Sequence, residues 1–306
     1  MNVPPVRIGM IGLDTSHVSA FAKILNDPTA SHYVPGGRVV VAYPGGSNDF
    51  ELSYSRVPGY TRELKEQYGV KLVKSPEEVA AQVDLVMITS LDGRVHLKQF
   101  QQTLHHKRPT FVDKPLATSV EEAQQILKLG HHLPVMSCSA LRFADPLVNA
   151  LQASKEDVIG CDICGLIAEE PTQRDLFFYA IHSVEVVVTI MGTGCCEVRA
   201  ARSDQGDLIT LIYNDGRLAS IRGHRQGESR FWATIHRPED NVTLLDLDQD
   251  ETARPRYVGL LEAILQSLPH GHSAVPAAET LEVIRILDAA VKSRNLGGQP
   301  IQLETC

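Results

Sequence analysis

From residue 6 the chain alternates short, almost wholly apolar runs with segments whose apolar residues recur every third or fourth position. Residues 6–11 form the first run, and Val18, Phe21, Ala22 and Leu25 then fall on one helical face. The same order returns three times, as 39–42 then 61–68, 85–89 then 94–104, and 110–112 then 119–129. Ser119-x-x-Glu122 marks the start of the last helix as a capping box. Near-continuous apolar strands separated by amphipathic helices predict a parallel sheet covered on both faces. The first half, residues 1–138, is therefore read as a doubly wound α/β domain whose ligand crevice lies at the carboxyl ends of its strands.

Beyond residues 135–138 the alternation stops. A helix over 141–152 leads into strand candidates at 158–168, 197–203, 208–213, 217–222, 230–236 and 241–246. Asn214-Asp215-Gly216 joins two of them as a tight hairpin turn. This predicts an α+β domain over 139–306 with an open-faced antiparallel sheet. Helices around 175–191, 257–268 and 278–293 must cover one face, with 278–293 also able to pack back on the first domain. The other face is left to solvent or to a second subunit.

Composition narrows the class. A chain of 306 residues suits two domains, and 43% apolar with 22% charged residues is ordinary for a globular protein. The net charge of −8 and the lack of any Lys or Arg run argue against nucleic acid as a partner. Apolar stretches such as 186–190 are too short to span a bilayer, so no membrane partner is expected. Residues 1–5 lack a charged n-region and a cleavage site, which makes cytoplasmic the expected location. Among six cysteines, Cys161-x-x-Cys164 and the Cys195-Cys196 pair invite a metal test. Cys161 and Cys164 sit in a strand whose period of two sends them to opposite faces, so they are read as small buried hydrophobes and no metal is expected. His105-His106 and His131-His132 are read as helix-terminus and surface residues.

The candidate chemistry lies where strands end. The first strand-to-helix turn reads Gly12-Leu13-Asp14-Thr15-Ser16-His17, which keeps only the first glycine of a G-x-G-x-x-G phosphate turn. Asp14 places a carboxylate where a second glycine lets backbone approach a pyrophosphate. Asp14, Thr15 or Ser16 can equally cap the helix, whose free amides remain an anion site. The second strand ends in Tyr43-Pro44-Gly45-Gly46-Ser47-Asn48-Asp49, which leaves NAD and NADP undecided. Lys114, at the carboxyl end of a strand and followed by Pro115, is a candidate for proton exchange, and the plain alternative is a surface turn lysine.

With these motifs in order, the chain resembles the glucose–fructose oxidoreductase / inositol dehydrogenase (Gfo/Idh/MocA) family of nicotinamide-dependent sugar and polyol oxidoreductases. The resemblance rests on residues 8–12, Val83-Asp84-Leu85-Val86, His96, Asp113-Lys114-Pro115, residues 180–185 before Met191-Gly192, and residues 277–303 with Ser293 and Gly297-Gly298. It implies a Rossmann-type first domain that binds NAD or NADP through Gly12, Leu13, Asp14, Thr15, Ser16, His17, Ser90, His96, Asp113 and Lys114. It makes Lys114 and His182 the proton-transfer pair facing one crevice between the domains, with Tyr179 and Glu185 beside His182. Glu185, one turn along the helix, would fix the imidazole tautomer or bind a substrate hydroxyl. The chain departs from the family pattern at Asp14 and His17, at Asp92-Gly93 in place of Pro-Asn, and at Phe178 in place of an aspartate.

Two readings of function follow. In one, the protein is an oxidoreductase that moves hydride between nicotinamide and a carbinol or carbonyl carbon of a sugar or polyol. In the other, the fold has lost tight cofactor binding and serves as a non-redox sugar-binding or accessory protein. Asp14 favours the second, and Lys114, His182 and Glu185 favour the first. The aromatic run Phe177-Phe178-Tyr179 is the one hint of a sugar platform. Sheet-mediated dimers are common in the family, so a homo-oligomer is expected.

Overall fold

The computed structural model describes residues 4–154, 157–227, 229–239, 241–248 and 254–303. Six strands of the first half are β1 (Val6–Ile11), β2 (Gly37–Tyr43), β3 (Lys71–Leu72), β4 (Leu85–Ile88), β5 (Thr110–Val112) and β6 (Val135–Met136). They form one sheet in the order β3-β2-β1-β4-β5-β6, and every pair runs parallel. β4 is buried along its whole length, as a sheet covered on both faces requires. The capping box contracts to its first half: Ser119 Oγ accepts the Glu122 N–H at 3.1 Å and caps the helix Val120–Leu129.

Seven strands follow: β7 (Gly160–Leu166), β8 (Cys195–Arg202), β9 (Gly206–Tyr213), β10 (Leu218–His224), β11 (Trp232–His236), β12 (Val242–Asp246) and β13 (Ile301–Gln302). Their order is β12-β11-β7-β10-β9-β8-β13. The sheet is antiparallel except where β7 and β10 pair in parallel, so it is mixed rather than purely antiparallel. The helix Ile181–Met191 lies between β7 and β8 in sequence and supplies the crossover that such a pair needs. One face carries Ile163, Ile209, Leu211, Ile221 and Ile235, all essentially inaccessible. The other carries Leu218 at 60% and Leu244 at 68% exposure.

The chain divides into two compact units, residues 1–138 with 257–277, and residues 139–256 with 278–306. This corrects the expected assignment of the helix at 257–268 to the second sheet. The helix Arg256–Ser267 presents Leu265 to Gly37 at the start of β2, where a Cβ would lie 2.8 Å from Leu265 Cδ2 and 2.9 Å from Ile8 Cδ1. The absent side chain is what admits the leucine. Residues 278–306 fall in the second unit. The helix Ala277–Asn295 serves the second sheet: Ser293 Oγ accepts the Ala200 N–H at 2.9 Å, and Glu282 accepts the N–H groups of Gly194 and Cys195.

Candidate functional site

The turn after β1 is built inward. Gly12 has φ +92, and a Cβ there would stand 2.1 Å from Ser90 Oγ and 2.6 Å from Ser90 Cα, which leaves glycine as the residue that fits. The N–H groups of Gly12 and Leu13 donate to the carbonyls of Tyr43 at 2.9 Å and Pro44 at 2.7 Å. Leu13 and Asp14 are wholly buried. The Asp14 carboxylate accepts the Ser53 hydroxyl at 2.6 Å and the Leu91 N–H at 2.9 Å. Ser53 is itself fixed by accepting the Ser47 N–H at 2.8 Å. Burial raises the Asp14 carboxyl above its ordinary range even against these hydrogen bonds. Thr15 caps the helix Ser16–Asn26 by accepting the His17 N–H at 3.4 Å, and Ser16 is exposed.

His17 reaches from this helix to the end of β5. Its Nδ1 lies 2.5 Å from Asp113 Oδ2, and its ring stacks on Phe21 and tilts against Tyr257, with centroids 5.6 and 5.1 Å away. Burial alone would raise the Asp113 carboxyl. The charge and hydrogen bond of His17, with Lys114 alongside, bring it below its ordinary range. The Lys114 N–H donates to Asp113 Oδ1 at 2.8 Å, and the Lys114–Pro115 peptide is cis. Burial pushes the Lys114 ammonium below its usual range, with Asp113 opposing.

Ser90 and His96 face the interior. Ser90 Oγ donates to Gln99 Oε1 at 2.9 Å. The ring nitrogens of His96 lie 2.9 Å from the Pro115 carbonyl and 2.8 Å from that of Ser90, so this ring ties the loop after β4 to the loop after β5. Arg94, which the sequence reading did not single out, clamps Asp92 and Asp49 together at 2.7 to 3.1 Å. These two carboxylates raise its already high pKa further.

In the second unit the sequence reading missed two residues, Ser139 and Arg142. Ser139 Oγ lies 2.7 Å from His182 Nδ1 and accepts the Leu141 N–H at 3.2 Å. The side chain facing Nδ1 is therefore this serine. Glu185 instead accepts Arg142 Nε at 2.6 Å, while Arg142 Nη1 donates to Glu279 at 2.6 Å. Glu185 is 2% exposed, and burial outweighs the guanidinium to leave its carboxyl above the ordinary range. His182 sits edge-on to Tyr179 and Phe231, at 5.3 and 5.7 Å between centroids, and Tyr179 stacks on Phe231 at 6.4 Å. Phe177 is buried under Arg174, while Phe178 and Tyr179 are half-buried before the helix. The signal that could have found Arg142 is a buried Glu185 on an otherwise apolar helix, which demands a cation.

Cys161 is buried and Cys164 half-buried, and burial pushes the Cys161 thiol up. The Cys195 thiol is pushed up to about 12 by burial, with Glu282 adding to it. Among the described residues, the set of three that brings metal-ligating atoms within 4.8 Å of one another is Glu77, in the helix Pro76–Ala80, with His105 and His106, in the helical turn Leu104–His106. Among the described residues, no helix is long and apolar enough to cross a membrane.

The donor set at the turn after β1 suits an anionic ligand. The N-terminus of an eleven-residue helix, the Thr15 and Ser16 hydroxyls and the His17 ring gather there, and the one carboxylate within the turn is directed inward. Comparison with known proteins bears on the fold. The chain is similar in fold to GenD2 from gentamicin A biosynthesis in complex with NAD, with TM-score 0.78 and 15% identity over 99% of this chain and 97% of that one. It is similar to a myo-inositol dehydrogenase from Corynebacterium glutamicum, with TM-score 0.76 and 18% identity over 99% and 100%. It is also similar to the Lactobacillus casei myo-inositol dehydrogenase in complex with NAD(H) and myo-inositol, with TM-score 0.74 and 13% identity over 99% and 98%. No curated protein sequence matches. Residues 6–138 match the Gfo/Idh/MocA family model, described as an oxidoreductase family with an NAD-binding Rossmann fold, in agreement with the resemblance seen in the sequence over that segment.

Proposed function

We propose that the protein is an NAD- or NADP-dependent dehydrogenase acting on a hydroxyl or carbonyl of a sugar, cyclitol or related polyol. The observation that carries this reading is Lys114 at the carboxyl end of β5. It stands beside a buried Asp113 anion, and burial pushes its ammonium toward the range in which it exchanges protons. The family match to an NAD-binding Rossmann fold supports it, and so does the structural likeness to proteins whose names record myo-inositol as substrate. When bound, the nicotinamide supplies the hydride acceptor or donor.

This chain's residues then have separate tasks. Thr15, Ser16 and the helix N-terminus hold phosphate oxygens. Lys114 orients the reacting hydroxyl and exchanges its proton. His182, the second proton-transfer group, is positioned by Ser139 at Nδ1. Tyr179 offers an aromatic face to a ring's C–H groups, and Glu185 acts through Arg142 by fixing the helix that carries His182. The uncovered face of the second sheet, with Ile159, Leu218 and Leu244 exposed, is the proposed homo-oligomer surface.

The test is single-turnover hydride transfer with NAD and NADP after a screen of cyclitols and aldoses. Lys114→Ala and His182→Ala should each lower the rate by roughly 10²–10⁴ while cofactor affinity and melting temperature stay near the parent values. Rates unchanged in both variants would remove these residues from the chemistry.

A further inference from the structure

We infer that His17, as the ion-pair partner of Asp113, is a phosphate-binding cation of the dinucleotide site and takes over work that the glycine motif does elsewhere with backbone amides. This rests on the dinucleotide reading above and assigns a role to a residue at which the chain departs from the motif.

In a G-x-G-x-x-G turn, the glycines let backbone N–H groups close on the pyrophosphate. Here the N–H groups of Gly12 and Leu13 already donate to Tyr43 and Pro44. The second glycine position is Asp14, whose side chain fills the interior beneath the turn and bonds to Ser53 and Leu91. The N–H groups of Gly12 and Leu13 are therefore committed within the fold and are not offered to a phosphate. The third glycine position is His17, in the first turn of the helix whose N-terminus is the remaining anion-attracting element.

The geometry gives His17 a defined pose. Nδ1 meets Asp113, and Phe21 and Tyr257 hold the ring on two sides. With Nδ1–H directed at an anionic carboxylate, a proton on Nε2 makes the ring a cation at the carboxyl edge of the sheet, where ligands of this fold bind. The groups that meet it are Asp113 from the end of β5, with Lys114 beside that carboxylate, Tyr257 from the helix Arg256–Ser267, and Thr15 and Phe21 from its own helix start. Asp113 is the anion among them. One fixed charge-assisted donor to phosphate is stronger than a neutral amide.

The measurement is fluorescence titration of the full chain with NADH and with NADPH from pH 6 to 8. Parent, His17→Gln, His17→Gly and Asp113→Asn are compared, and melting temperatures confirm folding. The parent should bind more weakly at pH 8 than at pH 6. His17→Gln should bind roughly 10- to 100-fold more weakly at pH 6 and show a flat profile. The flat profile separates His17 from Lys114, which remains in that variant. Asp113→Asn should weaken binding at pH 6, because His17 Nδ1 loses its carboxylate partner. Tighter binding by His17→Gly or His17→Gln would show that the side chain obstructs the site and would overturn the inference. Equal affinity and an unchanged pH profile in His17→Gln would overturn it as well. A parent that binds neither NADH nor NADPH would instead remove the dinucleotide reading itself.

Discussion

The turn after β1 and the end of β5 lie at the same edge of one sheet, and each carries a buried aspartate. Asp14 is held by a hydroxyl and an amide, and burial raises its carboxyl. Asp113 is as buried, yet His17 and Lys114 more than offset burial and lower it. The first carboxyl is surrounded by neutral dipoles and knits loops together. The second meets the His17 ring beside Lys114, and its charge opposes the fall of the Lys114 ammonium. Burial alone therefore does not tell an architectural acid from an electrostatic one, and the charge of its neighbours does.

This comparison can be broken at several points. The largest effect is expected from Gly12→Ala, which must force a Cβ against the Ser90 backbone at a positive φ. It should cost about 3 kcal/mol or more in urea denaturation. A normal midpoint would mean that the turn relaxes freely and is not the rigid element described. Asp113→Asn should come next, at about 2 kcal/mol, because a buried Lys114 and His17 lose their anion. The unfolded carboxyl titrates near 3.8 and the folded one below it, so this stabilisation is present above pH 3.8 and lost as the pH falls below it. The variant should lack that acid-side loss.

Asp14→Asn is expected to cost about 1 kcal/mol, since the amide keeps an acceptor for the Leu91 N–H. Its pH signature is the opposite one. The folded carboxyl titrates above 3.8, so the contribution of Asp14 is full below that value and declines as the pH rises past it. The parent should lose stability relative to Asp14→Asn between acid and neutral pH. If both variants gave the same pH dependence, the distinction between the two aspartates would fall. Thr15→Ala should be smallest, about 0.5 kcal/mol, because its capping bond is long at 3.4 Å.

Much of the architecture was legible in residue order. Strands at 6–11 and 110–112 coincide with β1 and β5, because buried parallel strands leave uninterrupted apolar runs. The helix predicted at 18–25 extends to Ser16–Asn26, since polar capping residues do not enter the apolar period. The site was less legible wherever a side chain depends on a distant partner. Nothing near Asp14 announces Ser53, which lies 39 residues on, and nothing near Glu185 announces Arg142, 43 residues back. The placement of the helix Arg256–Ser267 turned on an absent side chain at Gly37, which no periodicity registers. The parallel β7–β10 pair was hidden because alternation along a strand fixes its faces and not the direction of its neighbour.

The membership of residues 257–277 in the first unit has a consequence for synthesis. A chain emerging from the ribosome presents all six strands of that unit by Cys138, but the helix that seals Gly37 and sets Tyr257 against His17 comes later. The 139 residues from Cys138 to Ala277 must first be translated, which takes about 7–28 s at ~5–20 residues/s. During that interval the nascent first unit shows apolar surface around β1 and β2, and the second sheet is made while the first still waits for its cover. A stop codon after Cys138 would make that waiting state permanent.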